Sequence, residues 1–198
     1  MKRYPKSDSS ELQESFVLSV LNEKRNGYYV ELGAHDAYDG SNTALLDTEF
    51  GWKGLSLEIE PDRTDAFNQS DRNNKCITAD ALTFDYKKYF EENDFPKQID
   101  YLSVDIDGHD KSQCLLVLAA LPILQYRFSV ITLEHDMLDD YRREGMRAAQ
   151  RQILTALGYE LVGQISSEDW WLDGTYFVDE HGQFTTTERF IFYPNLED

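Results

Sequence analysis

Acidic and small residues recur wherever a short apolar run of this chain ends. Tyr28-Tyr29-Val30-Glu31-Leu32 is followed by Gly33-Ala34-His35-Asp36, Leu55 to Ile59 carries Glu58, and Lys75 to Thr78 leads into Ala79-Asp80-Ala81-Leu82. Ile99 to Ile106 carries Asp105 and runs into Asp107-Gly108-His109-Asp110, and Phe128 to Leu133 ends on Glu134-His135-Asp136. In an open parallel sheet the ligand crevice lies beyond the carboxyl ends of the strands, so these clusters predict one acidic rim.

The residue types on that rim select a ligand class. A phosphate-rich ligand calls for a Gly-rich loop and a cation, and neither GxxxxGK[ST] nor a full GxGxxG stands in the sequence. Glu58, at the end of the second strand, is placed to accept from the hydroxyls of a ribose. Asp80, with Ala81 beside it, can take an adenine amino group, and Glu31 with the Gly33-Ala34 loop can face a cationic or zwitterionic group. A ribose, an adenine and a positive charge without phosphate describe S-adenosylmethionine.

Were a hydroxyl to accept the methyl group of such a donor, its oxygen would have to be placed and deprotonated. His109, whose side-chain type titrates near neutrality, is the candidate base, with Asp105 as its catalytic neighbour at the strand end. Asp105, Glu134 and His135, flanked by Asp107 and Asp136, form an alternative oxygen-rich set suited to Mg²⁺. The Asp-x-Asp-Gly-x-Asp run is not an EF-hand loop, because Gly108 is fourth and a strand precedes it.

The elements that must position these residues alternate in apolar period. Helices are predicted over Glu11 to Lys24, Ser41 to Phe50, Thr64 to Gln69, Tyr86 to Glu92, Gln113 to Leu121 and Asp139 to Leu157. The five strands above and a sixth over Gly158 to Ile165 interleave with them, which is the pattern of an α/β sheet with helices on both faces. Trp170 to Val178 and Phe190 to Tyr193 follow without a helix between them and predict an antiparallel strand or hairpin at a sheet edge. Trp170, Trp171, Tyr176 and Phe177 read as edge-strand core, with an apolar wall on the acceptor side as the alternative. No repeat, linker or low-complexity tract divides residues 1–198, so one domain is expected, with residues 1–10 as a flexible start.

Composition narrows the partners. With 37 acidic against 19 basic side chains the net charge is −18, which repels nucleic-acid backbones and anionic membrane surfaces. No apolar run reaches the roughly 20 residues of a membrane span, and no leader pattern opens the chain. Two cysteines, Cys76 and Cys114, make no disulfide framework, so a reducing, cytoplasmic setting is expected.

Several blocks of this sequence resemble the FkbM-type methyltransferases: Tyr29 to Asp36, Ser41-Asn42-Thr43, Gly51-Trp52-Lys53-Gly54-Leu55 with Glu58, Ile99 to Asp110, and Thr132 to His135, in that order. The resemblance implies a class I, Rossmann-like methyltransferase fold with a mostly parallel seven-stranded sheet and an antiparallel edge strand. It implies S-adenosylmethionine as donor and a hydroxyl of a sugar, polyketide or other small molecule as acceptor. By it, Glu31 and Gly33 match the first donor-binding motif, Glu58 the ribose acid, Asp80 the adenine-side acid and Asp105 the acid ending the fourth strand. The chain departs from the family pattern at Asp36-Ala37, Glu58-Ile59 and Asp107-Gly108-His109-Asp110. Two other readings stand beside this one: a nucleotide-dependent oxidoreductase on a related sheet, and a non-catalytic binding module on the same fold.

Overall fold

Alternate residues of the apolar strands face opposite ways, and helices cover both sides. The computed structural model describes residues 12–106, 112–135, 143–177 and 181. The elements in chain order are α1 (Gln13–Val20), β1 (Tyr28–Leu32), α2 (Ala44–Thr48), β2 (Lys53–Glu58), α3 (Pro61–Gln69), β3 (Cys76–Thr78) and α4 (Tyr86–Glu92). They continue with β4 (Gln98–Val104), α5 (Gln113–Ala120), β5 (Arg127–Glu134), α6 (Arg143–Ala156), β6 (Tyr159–Ile165) and β7 (Glu168–Asp173). The sheet order is β3-β2-β1-β4-β5-β7-β6. The first five of these strands pair in parallel, and β7 pairs antiparallel with both β5 and β6. The antiparallel strand thus lies one place in from the edge, and the chain reverses into it through Ser166, whose φ is +49°.

Val30, Leu32, Leu102 and Val104 pack with α4, α5 and α6 residues such as Phe90, Val117 and Leu154. Tyr29, Tyr101 and Val130 turn to the other face, against Phe16, Val17 and Leu46 of α1 and α2. Strand order reverses between β1 and β4, and the crevice beside such a switch point is where ligands bind in this architecture.

The predicted helix over Tyr86 to Glu92 is matched and that over Thr64 to Gln69 extends back to Pro61, while the first two are shorter in the structure. The first ends at Val20 because Asn22 and Glu23 take left-handed backbone, with φ of 52° and 55°. Ser41 opens the second from a distance, its Oγ accepting from the N–H of Thr43 and Ala44 ahead of α2. Gly54 has a packing reason: a Cβ there would lie 2.1 Å from the Tyr29 ring. Trp170 and Trp171 are core residues, Trp170 stacked on Phe16 at 4.4 Å, so they form no open wall for an acceptor. Phe177 is buried and Tyr176 exposed beyond them. The expected Phe190 to Tyr193 strand, Val178 and residues 1–10 lie outside the described residues.

β7 stops at Asp173 because its buried carboxylate is committed to Arg127 through two bonds of 2.7 and 2.9 Å and to the Thr175 N–H and hydroxyl. Burial alone would raise the Asp173 pKa, but these bonds outweigh it and hold it below its ordinary value. Asp173→Ala is therefore expected to cost about 2–3 kcal/mol in urea unfolding near neutral pH. A group with a depressed folded pKa stabilises above its unfolded pKa and loses that contribution as pH falls through the folded value. The gap between wild type and variant should accordingly be full above pH 4 and close below it.

Candidate functional site

The rim is assembled by a backbone contact. Gly33 follows β1 with φ +86°, and a Cβ at that position would sit 1.8 Å from the carbonyl oxygen of Asp105. Only glycine permits both the left-handed turn and this approach of the β1 and β4 ends. The Gly33 and Ala34 N–H groups both donate to Leu57 O at 3.0 Å, and Asp105 N–H donates to Leu32 O at 3.0 Å. Sequence and topology thus bring three strand ends into one wall.

Glu58 ties the loops above that wall together. Its Oε2 accepts from His35 N–H at 2.9 Å, and its Oε1 from Ile59 and Glu60 N–H at 2.8 and 3.0 Å. A carboxylate oxygen accepts about two bonds, so among the described residues Oε1 is saturated and Oε2 keeps one acceptor direction. His35 pays for its place with left-handed backbone, φ +48°, an uncommon conformation for a side-chain-bearing residue.

Two cavities open on this rim and share Gly33, His35 and Asp105. The first, about 160 Å³, is lined by Glu58, Ile59, Asp80, Ala81, Ile106 and Gln113 among others. The second, about 300 Å³, is lined by Glu31, Ala34, Asp39, Ser41 and Asn42 with the shared residues. Each wall holds a buried acceptor with no partner among the described residues: Gln113 Oε1 in the first and Asn42 Oδ1 in the second. Such orphaned acceptors are costly unless a ligand or water donates to them. Asn42 Nδ2 is fixed by donation to Ser103 Oγ at 3.1 Å and Asp105 Oδ2 at 3.4 Å.

Glu31 lies beneath the second cavity, almost fully buried. Burial pushes its pKa up, opposed first by the Arg72 guanidinium and then by bonds from Ser56, Thr43 and Ser41. The Ser56 hydroxyl donates to it at 2.8 Å and that of Ser41 at 3.4 Å. The predicted donor-binding residues thus gather as two linked sets. Glu31, Gly33, Ala34 and Asp105 meet at the second cavity, and Glu58, Asp80, Ala81 and Asp105 at the first. The predicted base His109, with Asp107, Asp110 and Asp136, lies outside the described residues.

The Mg²⁺ expectation finds no support among the described residues, and Asp107 and Asp136 lie outside them. Among the described residues no three His, Cys, Asp or Glu side chains form a group able to hold a metal ion, so Asp105, Glu134 and His135 do not come together as one. His135 is buried and faces β7, its Nε2 3.7 Å from Asp169 Oδ1. That carboxylate already holds Arg151 at 2.6 Å and Arg147 at 3.6 Å, and two guanidinium groups there oppose a further cation.

Sequence reasoning did not select Asn42 as a side chain with a role, nor Gln113, Arg72 or His35. Asn42 stood inside a resemblance block, and Gln113 only as the first residue of a predicted helix. Arg72 lies in the polar Ser70 to Lys75 loop and carries little local signal, because every acceptor of its guanidinium hydrogen bonds is 25 to 43 residues away.

Strand order, antiparallel β7 and a crevice at the switch point define a Rossmann-like methyltransferase fold. Over residues 38–161 the chain matches the family described as Methyltransferase FkbM domain, and it belongs to that family. No curated protein sequence matches it. Among solved structures it is similar to a putative O-methyltransferase from Klebsiella pneumoniae, at 16% identity over 85% of this chain and 83% of that one, with a TM-score of 0.58. It is likewise similar to the O-methyltransferase from Bacillus cereus in complex with SAH, at 19% identity, 84% and 81% coverage and a TM-score of 0.55. Cofactor-bound Rv0187 from MTB matches at 14% identity, 87% and 84% coverage and a TM-score of 0.58.

Gly33→Ala tests the rim. The positive φ and the overlap with the Asp105 carbonyl should together cost at least about 2 kcal/mol. Chemical denaturation checks it: a variant within about 0.5 kcal/mol of wild type would mean that the β1 and β4 ends do not approach this closely.

Proposed function

We propose that the protein transfers a methyl group from S-adenosylmethionine to a hydroxyl oxygen of a small molecule. The observation that carries this reading is the pair of cavities joined at Gly33, His35 and Asp105, each with a buried acceptor awaiting a donor. The ligand this suits has two arms rich in N–H and O–H groups, meeting at a centre. S-adenosylmethionine has that form, and the relative from Bacillus cereus was solved with its demethylated product SAH.

In this reading the nucleoside arm lies in the first cavity. The free direction of Glu58 Oε2 accepts a ribose hydroxyl, and Gln113 Oε1 and Asp80 accept from the adenine amino group. The amino-acid arm lies in the second cavity, with its ammonium directed at Asn42 Oδ1 and Asp105. When bound, the donor supplies an electrophilic methyl carbon on a positively charged sulfur. The chain's part is to orient that carbon against the acceptor oxygen and to take the acceptor's proton. His109, which follows β4 in sequence, and His35, common to both cavities, are the imidazoles proposed for the proton.

Several supports favour a hydroxyl acceptor: two of the similar structures are O-methyltransferases by description, and the sequence resembles a family of that activity. The −18 net charge argues for a small neutral acceptor over a nucleic acid. No described helix is long and apolar enough to cross a membrane. Cys76 and Cys114 are buried and form no disulfide with each other, as suits the cytoplasmic setting proposed.

Isothermal titration with S-adenosylhomocysteine tests the donor assignment. The wild-type protein should bind it with a Kd in the micromolar range, about −8 kcal/mol. Glu58→Ala should weaken binding at least about tenfold, and NAD(H) should give no binding heat. Binding of NAD(H) in preference to S-adenosylhomocysteine would turn the assignment to the oxidoreductase reading.

A further inference from the structure

Arg72 lines neither cavity, yet the wall of the second is fastened to it. Its guanidinium is buried and donates five hydrogen bonds. Nε reaches Asp47 Oδ2 on α2 at 2.7 Å; Nη1 reaches the Ala37 carbonyl at 2.8 Å and Ser41 Oγ at 3.2 Å; Nη2 reaches Thr43 Oγ1 at 2.8 Å and the Tyr29 hydroxyl at 3.2 Å. The Phe67 ring of α3 packs against the guanidinium, 4.7 Å from its centroid. Three of the five acceptors belong to the segment 37–43, which supplies Asp39, Gly40, Ser41 and Asn42 to the cavity. Asn42, with its orphaned Oδ1, stands between the two side chains that Arg72 holds.

We propose that Arg72 is a positioning residue for the amino-acid end of the methyl donor, holding the 37–43 segment from behind so that Asn42 and the Glu31 layer face the ligand. The proposal rests on the donor reading above. Guanidinium geometry is what the position uses. A planar fork reaches acceptors on a strand, a loop and a helix at once, whereas an ammonium has three donors around one point and cannot span them. Charge matters as well: one guanidinium stands among the two buried carboxylates Asp47 and Glu31, and Glu31 would be harder to keep ionised without it.

A comparison of two ligands separates this role from a purely structural one. Adenosine occupies only the first cavity in the donor reading, while S-adenosylhomocysteine spans both, so their affinities are measured on wild type, Arg72→Lys and Thr43→Val by calorimetry and competition. Arg72→Lys keeps the charge and loses the fork; Thr43→Val removes one loop-side acceptor at similar volume and serves if the first variant does not fold. Arg72→Lys is expected to lose at least about tenfold in S-adenosylhomocysteine affinity and Thr43→Val about threefold, with adenosine affinity changed by less than about twofold in both. Equal losses for the two ligands, or undiminished S-adenosylhomocysteine binding, would overturn the proposal. A wild-type protein that binds neither ligand would instead overturn the donor reading on which it stands.

Discussion

Everything at the rim depends on how closely two backbones meet. The turn at Gly33 brings the end of β1 against the Asp105 carbonyl at the end of β4, at the point where strand order reverses. With that approach in place, Leu57 can accept from both Gly33 and Ala34, and the loops after β1, β2 and β4 share one wall. A side chain at Gly33 would separate the strands that the two cavities have in common. Glu58 then fixes the upper part of the wall through three N–H groups, so the same carboxylate shapes the crevice and presents its remaining lone pair to whatever enters.

Two kinds of electrostatics operate there. At the surface the excess of carboxylates sets which partners approach, and that effect fades with salt. Inside, Glu31, Asp47 and Arg72 form a desolvated group in which each charge is held by hydrogen bonds, and removing one partner leaves another buried without compensation. Unpartnered acceptors of Asn42 and Gln113 add a third element: they favour a ligand rich in donors without adding charge. A phosphate, which offers mostly acceptors, meets neither them nor the carboxylates favourably.

Strands and their acidic ends were legible because they depend on local pattern: short runs of four to eight residues followed by Gly, Asp or Glu. Ser41 and the Gly51 to Leu55 block were legible as a resemblance, and the structure supplies reasons, Ser41 in its bonds to the start of α2 and Gly54 in the room the Tyr29 ring needs. Helix ends were less legible, since left-handed Asn22 and Glu23 carry no glycine to announce them. Trp170 and Trp171 read as core of an edge strand, and the structure buries them on a β7 that lies one place inside the edge. The metal set finds no support: adjacent strand ends suggested that Glu134 and His135 join Asp105, but His135 turns to Asp169 and two arginines on later elements. Arg72 was illegible because all the hydrogen bonds of its guanidinium reach acceptors distant in sequence.

The most direct test is a crystal structure of the protein grown with S-adenosylhomocysteine. The account predicts the adenine beside Gln113 and Asp80, a ribose hydroxyl on Glu58, the thioether sulfur between Gly33 and Asp105, and the amino-acid end beside Asn42. Crystals that hold the ligand anywhere else, or that hold none at saturating concentration, would contradict it.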